Sequence, residues 1–594
     1  MNHAGKEARA NPMKQLCFSM TLASALIASV IHAAEVSPAM PPPQGVPANP
    51  KVDARFDRFY DYGQATKLLK DLAAAHPKFA NLQSLGKSFG GNEIWLLTLT
   101  DSVSGPAQEK PAMWIDGGIH GNEVQSVEAV LYTAWFLLEM RQENERVAKS
   151  LKERTFYLLP TLSPDSRDKH FYEPNSPHSP RSGQRPVDDD RDGLVDEDGP
   201  DDLDGDGQIT LMRVKDPGGD YKDHPKYAGQ MTKVENGEAG QYRVLGVEGI
   251  DNDGDGKVNE DGDGAYDPNR NWPWQWQPEY VQGGAHRYPL SIDENRLAAE
   301  FIIAHPNIIG AQSYHNAGGM ILRGPGVKDK PYEKADESLL KEISDAGAKM
   351  LPGYKPVKLG EELYAARGVE IDWLYNMRGV YAFTNELFSA HGYFDTADDE
   401  GFFGSEVTRQ EFNEKILLGG GYAKWTPADH PTYGKIEVGG MKKNFGRQPP
   451  SFMLREELHR NMAFTLHHAQ QLPLVKIDGI EVKDLGGVQE VTVAVRNERL
   501  LPTRAAVDVK HKITAPDILD IAGENLHIHA GLIDDDPCFG NPKDARRTPQ
   551  RLRIDRVPGR GAIYARWLVS GDGEATVTFR SVKGGRAKRS VTLP

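Results

Sequence analysis

His120 and Glu123, three residues apart in His120-Gly121-Asn122-Glu123, could bring an imidazole and a carboxylate to one metal ion. The stretch follows an apolar run at 112–116 that reads as a buried strand. It precedes Val127, Val130, Leu131, Ala134, Trp135 and Leu138 at helical spacing. Open α/β sheets present ligands at such strand ends. Alone, so short a pattern is most often a polar turn, so its meaning depends on what else reaches the same edge. His315 lies just beyond an apolar run at 308–313. Glu386 follows the apolar runs 371–375 and 380–383. Both are therefore expected at strand ends.

A second group of residues has hard-cation chemistry. Residues 181–264 are acidic and Gly-rich and lack apolar periodicity. They contain Asp188, Asp190 and Asp192, then Asp202, Asp204 and Asp206, then Asp251, Asp253 and Asp255, each set followed by glycine. Carboxylates at alternate positions before a sharp turn supply several oxygens from one short loop, which suits calcium. Gly199, Arg213 and Gly262 stand where an EF-hand would carry its twelfth-position Glu, so these are not EF-hand loops.

The elements that must position these groups follow from pattern. A helix is expected at 64–75 before Pro77, a turn at 86–94, and strands at 94–99 and 155–159. Ser291-Ile-Asp-Glu294 reads as a capping box before a helix at 296–304, and a further helix is expected at 452–470. Beyond residue 474 the period changes. Val491, Val493 and Val495 alternate, as do Ala575, Val577 and Phe579, which suggests a β-sandwich over 474–594. His527 and His529 share a face there, but the pair is too small a signal to read as a metal site.

Composition sets the class. The 594 residues are 39% hydrophobic and carry a formal charge of −15, which argues against nucleic acid as a partner. Lys14, an apolar stretch at 16–31 and small residues at Ala33 and Ala34 read as a secretory signal peptide over 1–34, with the residues before Met13 an overextended start. A Pro-rich linker follows at 35–52. The expectation is a bacterial protein, secreted or periplasmic, with no stable membrane anchor. After cleavage Cys538 is the remaining cysteine, so no intrachain disulfide forms.

Taken together, the motifs over roughly 56–472 resemble the zinc metallocarboxypeptidases of the carboxypeptidase A type. The resemblance makes His120, Glu123 and His315 the ligands of one catalytic zinc and Glu386, in Phe383-Thr-Asn-Glu386-Leu387, the general base. Asn269 and Arg270, in Asp267-Pro-Asn-Arg270-Asn-Trp272, match the family's substrate-carboxylate motif. Tyr364 precedes Ile371-Asp372-Trp373 at the family spacing and would close over the bound chain end. Ile371 would face the side-chain pocket with Ala366 and Thr384, implying an apolar preference. Glu370, as a strand neighbour of Ile371, would point away. The Arg often found between the first two ligands is Asn122 here. The oxyanion-stabilising Arg could be Arg181, Arg185 or Arg213.

The implied fold is α/β, a mixed eight-stranded-type sheet flanked by helices over 53–473, followed by the all-β sandwich. The implied function is hydrolysis of the C-terminal peptide bond of peptides or proteins, with a structural role for calcium. Two alternatives stay open: a cell-wall stem-peptide peptidase of the same family, and a non-catalytic calcium-dependent binding protein.

Overall fold

The computed structural model describes residues 45–594 except 189, 263, 265 and 390–405. The signal-peptide expectation lies outside the described residues. The strands of the first part of the chain are β1 (Ala80–Lys87), β2 (Glu93–Leu99), β3 (Ala112–Asp116), β4 (Thr155–Leu159), β5 (Leu211–Lys215), β6 (Tyr221–Asp223), β7 (Met231–Lys233), β8 (Tyr242–Val247), β9 (Ile308–Asn316), β10 (Met320–Arg323), β11 (Lys355–Lys358), β12 (Tyr381–Leu387), β13 (Tyr422–His430) and β14 (Gly434–Met441). The helices are α1 (Tyr62–Ala75), α2 (Gln125–Met140), α3 (Glu145–Glu153), α4 (Pro164–Tyr172), α5 (Asp293–Ala304), α6 (Lys334–Ala348), α7 (Glu370–Arg378), α8 (Glu406–Ile416), α9 (Ser451–Gln471) and α10 (Ala506–His511).

Eight strands form one mixed sheet in the order β1-β2-β4-β3-β9-β12-β10-β11. Its centre is parallel: β3 pairs with β4 and β9, and β9 pairs with β12. Central strands with helices on both faces are buried on both sides, which explains why β3, β4 and β9 read as continuous apolar runs. One face packs on α1, α2, α6 and α9 through Leu72, Val130, Leu137, Leu340 and Leu458. The other packs on α5 and α7 through Ala299, Ile302, Ile371 and Leu374.

Three expectations are corrected. Residues 370–378 form α7 and not a strand: the Gly379 C-cap has φ +63°, and its N–H bonds the carbonyls of Leu374 and Tyr375. Strand alternation therefore does not apply to Glu370 and Ile371, and both are buried. The expected capping box of α5 does not form. Ile292 is the N-cap, and the Ser291 hydroxyl accepts from Asn271 Nδ2 instead. The acidic insertion also has more order than its composition suggests. Four of its strands join two that follow Glu386 in a six-stranded sheet, β13-β14-β5-β8-β6-β7, around Met212, Ile436 and Val438.

The C-terminal part forms a five-stranded and a four-stranded antiparallel sheet packed over Val491, Val493, Val495, Val577, Phe579 and Trp567. It is bonded to the first part through buried charge. Asp336 of α6 is fully buried and accepts from the Tyr375 hydroxyl at 2.9 Å, the Tyr381 hydroxyl at 2.8 Å, and the first two amides of α10, Ala506 at 2.9 Å and Val507 at 3.1 Å. Lys583, 1% exposed, donates to Gly379 O at 2.8 Å and to Arg378 O, capping the C-terminal end of α7. Replacing Asp336 by Ala strands four donors, three of them buried, and each buried one costs about 1–3 kcal/mol when unsatisfied. The expected outcome is a markedly lower urea midpoint, read by circular dichroism. An unchanged midpoint would contradict the role given to this carboxylate.

Candidate metal centre

Three strand ends build the site. The chain leaves β3, turns at Gly117 and Gly118, and presents His120 and Glu123 before α2. Gly118 has φ +62°, and a Cβ on Gly117 would stand 2.6 Å from Ser126 O, so the turn is closed by backbone against backbone. His315 sits at the end of β9, and its register partner on β12 is Glu386.

His120, Glu123 and His315 are each buried, and one ligand atom from each lies within 4.8 Å of the others. His315 Nδ1 is 3.3 Å from His120 Nδ1 and 2.9 Å from Glu123 Oε2, and His120 Nδ1 is 3.0 Å from Glu123 Oε1. Donors about 2.0–2.2 Å from a tetrahedral zinc stand roughly 3.3–3.6 Å apart, so the set fits zinc with only a small opening. Two imidazole nitrogens facing one carboxylate in a buried site are a donor set for a borderline cation. The ring nitrogen of His120 that faces away from the set, Nε2, meets Asp267 Oδ1 at 2.9 Å. A carboxylate behind a ligating imidazole fixes its orientation. Asp267 was quoted in the sequence motif, but its contact with His120 is visible only in the fold.

Glu386 is half-buried beside this set. Burial, then the negative charge of Glu123, pushes its carboxyl up to about 7, against the pull of His315, Arg447 and Arg181. Of the three candidate arginines, Arg181 is in the centre: it donates to Glu123 Oε1 at 3.1 Å and to Asp267 Oδ2 at 3.2 Å. Arg185 pairs with Asp293, and Arg213 pairs with Glu437 at 2.8 Å in the inserted sheet. A further guanidinium was missed. Arg447, just before α9, donates to Asn316 O at 2.5 Å and lies 3.4 Å from Glu123 Oε1. It comes from a Gly-rich stretch with no motif around it.

Arg270 is 12% exposed in its side chain, with its guanidinium carbon 5.9 Å from the ring of Tyr364. Tyr364 is half exposed. Asn269 Oδ1 accepts from Glu370 N at 2.9 Å, so the clamp motif is tied to the start of α7, where Ile371 is buried.

The acidic loops fold as sharp turns, with φ of +101° at Gly193, +82° at Gly207 and +94° at Gly256. The carboxylates of Asp188, Asp190 and Asp192 form one group able to hold a cation. The first and third loops lie together, bridged at Asp198 and Asp261, so that Asp190, Asp255 and Glu260 form a mixed group, as do Asp192, Glu197 and Asp253. Glu197, Glu260 and Asp261 lie in the stretch where the first and third loops continue alike in sequence, Asp196-Glu-Asp198 and Asn259-Glu-Asp261, and the fold adds them to the candidate ligands. Asp202, Asp204 and Asp206 form a turn in which Asp202 accepts from the amides of Gly205 and Gly207, both at 2.9 Å.

The zinc carboxypeptidase family, peptidase M14, has a model that matches residues 65–186 and 250–406. The match supports assignment of this region to the zinc carboxypeptidases, and its break falls inside the acidic insertion. The model of a domain of unknown function, DUF8731, matches residues 474–592. Carboxypeptidase D of Anas platyrhynchos is 31% identical over 111 residues, 19% of this chain and 8% of that protein. Carboxypeptidase Z of Mus musculus is 31% identical over 126 residues, 21% of this chain and 18% of that protein. An inactive metallocarboxypeptidase, ECM14, of Ajellomyces capsulatus (strain H143) is 25% identical over 123 residues, 21% of each chain. The chain thus matches about a fifth or less of the length of these relatives. Among solved structures, carboxypeptidase A from Helicoverpa armigera aligns over 69% of this chain and 75% of that one, at 17% identity and a TM-score of 0.39. No described helix is long and apolar enough to cross a membrane.

Proposed function

We propose that this protein is an exported zinc-dependent carboxypeptidase that removes the last residue of peptides or proteins. The convergence of His120, Glu123 and His315 within 4.8 Å, with Glu386 at the same strand end, carries the reading. When bound there, zinc would supply a Lewis acid at the scissile carbonyl and lower the pKa of a water. Glu386 takes the proton of the attacking water and passes it to the leaving amine. Arg270 and Asn269 pair with the terminal carboxylate, for which a guanidinium offers a planar fork. Tyr364 is exposed enough to close over that end. Arg181 faces the charge that develops on the carbonyl oxygen. The experiment is release of the last amino acid from defined peptides by protein stripped of metal and then given one equivalent of zinc. Purified muropeptides run alongside test the cell-wall alternative. Release that does not depend on zinc, or cleavage inside the chain, would contradict the reading.

Calcium is the second part of the proposal. The insertion leaves the catalytic region just after Arg181 and returns just before Asp267, and both of these side chains meet His120 Nε2. Its two ends are held together by the Ser182 hydroxyl, which donates to the carbonyls of Gly264 and Tyr266. Calcium on the carboxylate groups of the loops would thus secure the frame of His120. A ligand that binds only the folded state adds about 2.7 kcal/mol at a hundredfold excess over its Kd. A calcium-selective chelator that leaves zinc in place is expected to lower Tm and to reduce kcat/KM. An unchanged Tm and protease resistance would remove calcium from the account.

A further inference from the structure

The joint between the first and the C-terminal parts of the chain encloses a space that no step described above uses. Glu109 and Asn307 line it from one side, ahead of β3 and β9. Ala515, Ile518, Val582 and Arg586 line it from the other. The cavity measures about 410 Å³. Small-molecule sites run from roughly 300 to 1,000 Å³ and are common where two domains meet.

Its walls are fixed in place. The hairpin turn at 581–585 is seated so closely that a Cβ on Gly585, whose φ is +76°, would stand 3.1 Å from Pro111 Cδ. Lys583 in the same turn is buried and bonded to Gly379 O. Asn307 donates from Nδ2 to Lys110 O at 2.9 Å and to Ala107 O at 3.1 Å, which ties it to the turn that carries Glu109. The cavity is therefore preformed, and a ligand need not order its lining.

The chemistry of the lining has two halves. Ile518 and Val582 are half-buried, and with Ala515 they give an apolar wall. Glu109 and Arg586 are both 50% exposed, so they stand at the mouth, 3.5 Å apart. An ion pair so open to water adds little to stability. It does set a carboxylate and a guanidinium side by side next to an apolar space. Asn307 adds an acceptor: it is 1% exposed, and its Oδ1 has no partner among the described residues. A carboxylate and a carboxamide oxygen call for N–H donors, and a guanidinium calls for a carboxylate. An α-amino acid carries an ammonium and a carboxylate on one carbon, with a side chain beside them.

We propose that this cavity binds one free α-amino acid with an apolar side chain. The ammonium pairs with Glu109, with Asn307 Oδ1 as the further acceptor. The carboxylate pairs with Arg586, and the side chain lies against Ile518 and Val582. The ligand touches both parts of the chain and so holds them together more firmly. The site involves neither the metal set nor Arg270, so it stands whether or not the catalytic reading does.

Isothermal titration calorimetry on the full-length, zinc-loaded protein tests it, with phenylalanine and leucine as probes. An Arg270→Gln background keeps the proposed clamp from contributing heat. The expected result is one equivalent bound per chain, with a matching rise in Tm. Phenylalaninamide, N-acetylphenylalanine and glycine each lack one of the three matched groups. Each should bind about tenfold more weakly or worse, the usual worth of a charged hydrogen bond or a buried apolar side chain. Two further variants locate the site. Arg586→Gln removes a half-exposed charge, and Ala515→Trp fills the space from an exposed position, so both are expected to fold with an unchanged Tm in the absence of ligand. Arg586→Gln should weaken phenylalanine binding about tenfold or more, and Ala515→Trp should abolish both the heat and the rise in Tm. No binding, equal binding of the amide or of glycine, or binding that survives both variants would overturn the assignment.

Discussion

Glu386→Gln is expected to lower kcat by about 10²–10⁴-fold, the usual contribution of a positioned general base, while one zinc per chain is retained. The carboxylate lies beside the ligand set without being one of its three members, and its register partner is His315. Removing its charge therefore takes away the proton acceptor and leaves the donors in place. The wild-type rate should also fall in acid, because the protonated form cannot accept a proton; without the cation, burial and Glu123 push the Glu386 carboxyl up to about 7. A bound cation would carry this limb to lower pH. Steady-state kinetics with metal analysis of the same samples checks both points. A variant that keeps wild-type turnover would remove Glu386 from the mechanism.

His315→Ala is expected to have the other large effect, the loss of stoichiometric zinc. Glu123 sits between the two imidazoles, and burial would raise its carboxyl if their charges did not hold it well below its usual range. With one imidazole gone, two donors remain, and a two-donor set is a poor zinc site. The buried carboxylate also loses a partner at 2.9 Å. Tight binding should disappear in competition with a chromogenic chelator, and added zinc should no longer raise Tm. Full zinc occupancy in this variant would show that the metal is held elsewhere.

The core of the site was legible because it depends on strand ends, and central parallel strands read as continuous apolar runs. His120, Glu123, His315 and Glu386 each follow such a run. What the sequence hid was mostly long-range. β14 pairs with β5 across the whole catalytic region, and neither strand has enough apolar residues to advertise a sheet. Arg447 reaches Glu123 from far along the chain, and Asp267 acts through a contact that no spacing encodes. The misreading of α7 has a local cause. Ile371-Asp-Trp-Leu-Tyr375 is a short apolar run, and length alone could not separate strand from helix. That one error turned Glu370 away from the pocket on paper, whereas the fold buries it against Asp116.

In the proposed carboxypeptidase, Arg270 is the residue that would make the free carboxyl end of a peptide recognisable. Its guanidinium is largely buried, 4.0 Å from Asp267 Oδ2. A truncated or amidated partner in such a place costs on the order of 2–5 kcal/mol. The most direct measurement is therefore kcat/KM for one peptide prepared as free acid and as C-terminal amide, with the zinc-loaded enzyme and with Arg270→Gln. The account predicts release of the last residue from the acid at a rate at least tenfold above the amide, with most of that difference lost in the variant. Equal cleavage of acid and amide by the wild-type protein would contradict it.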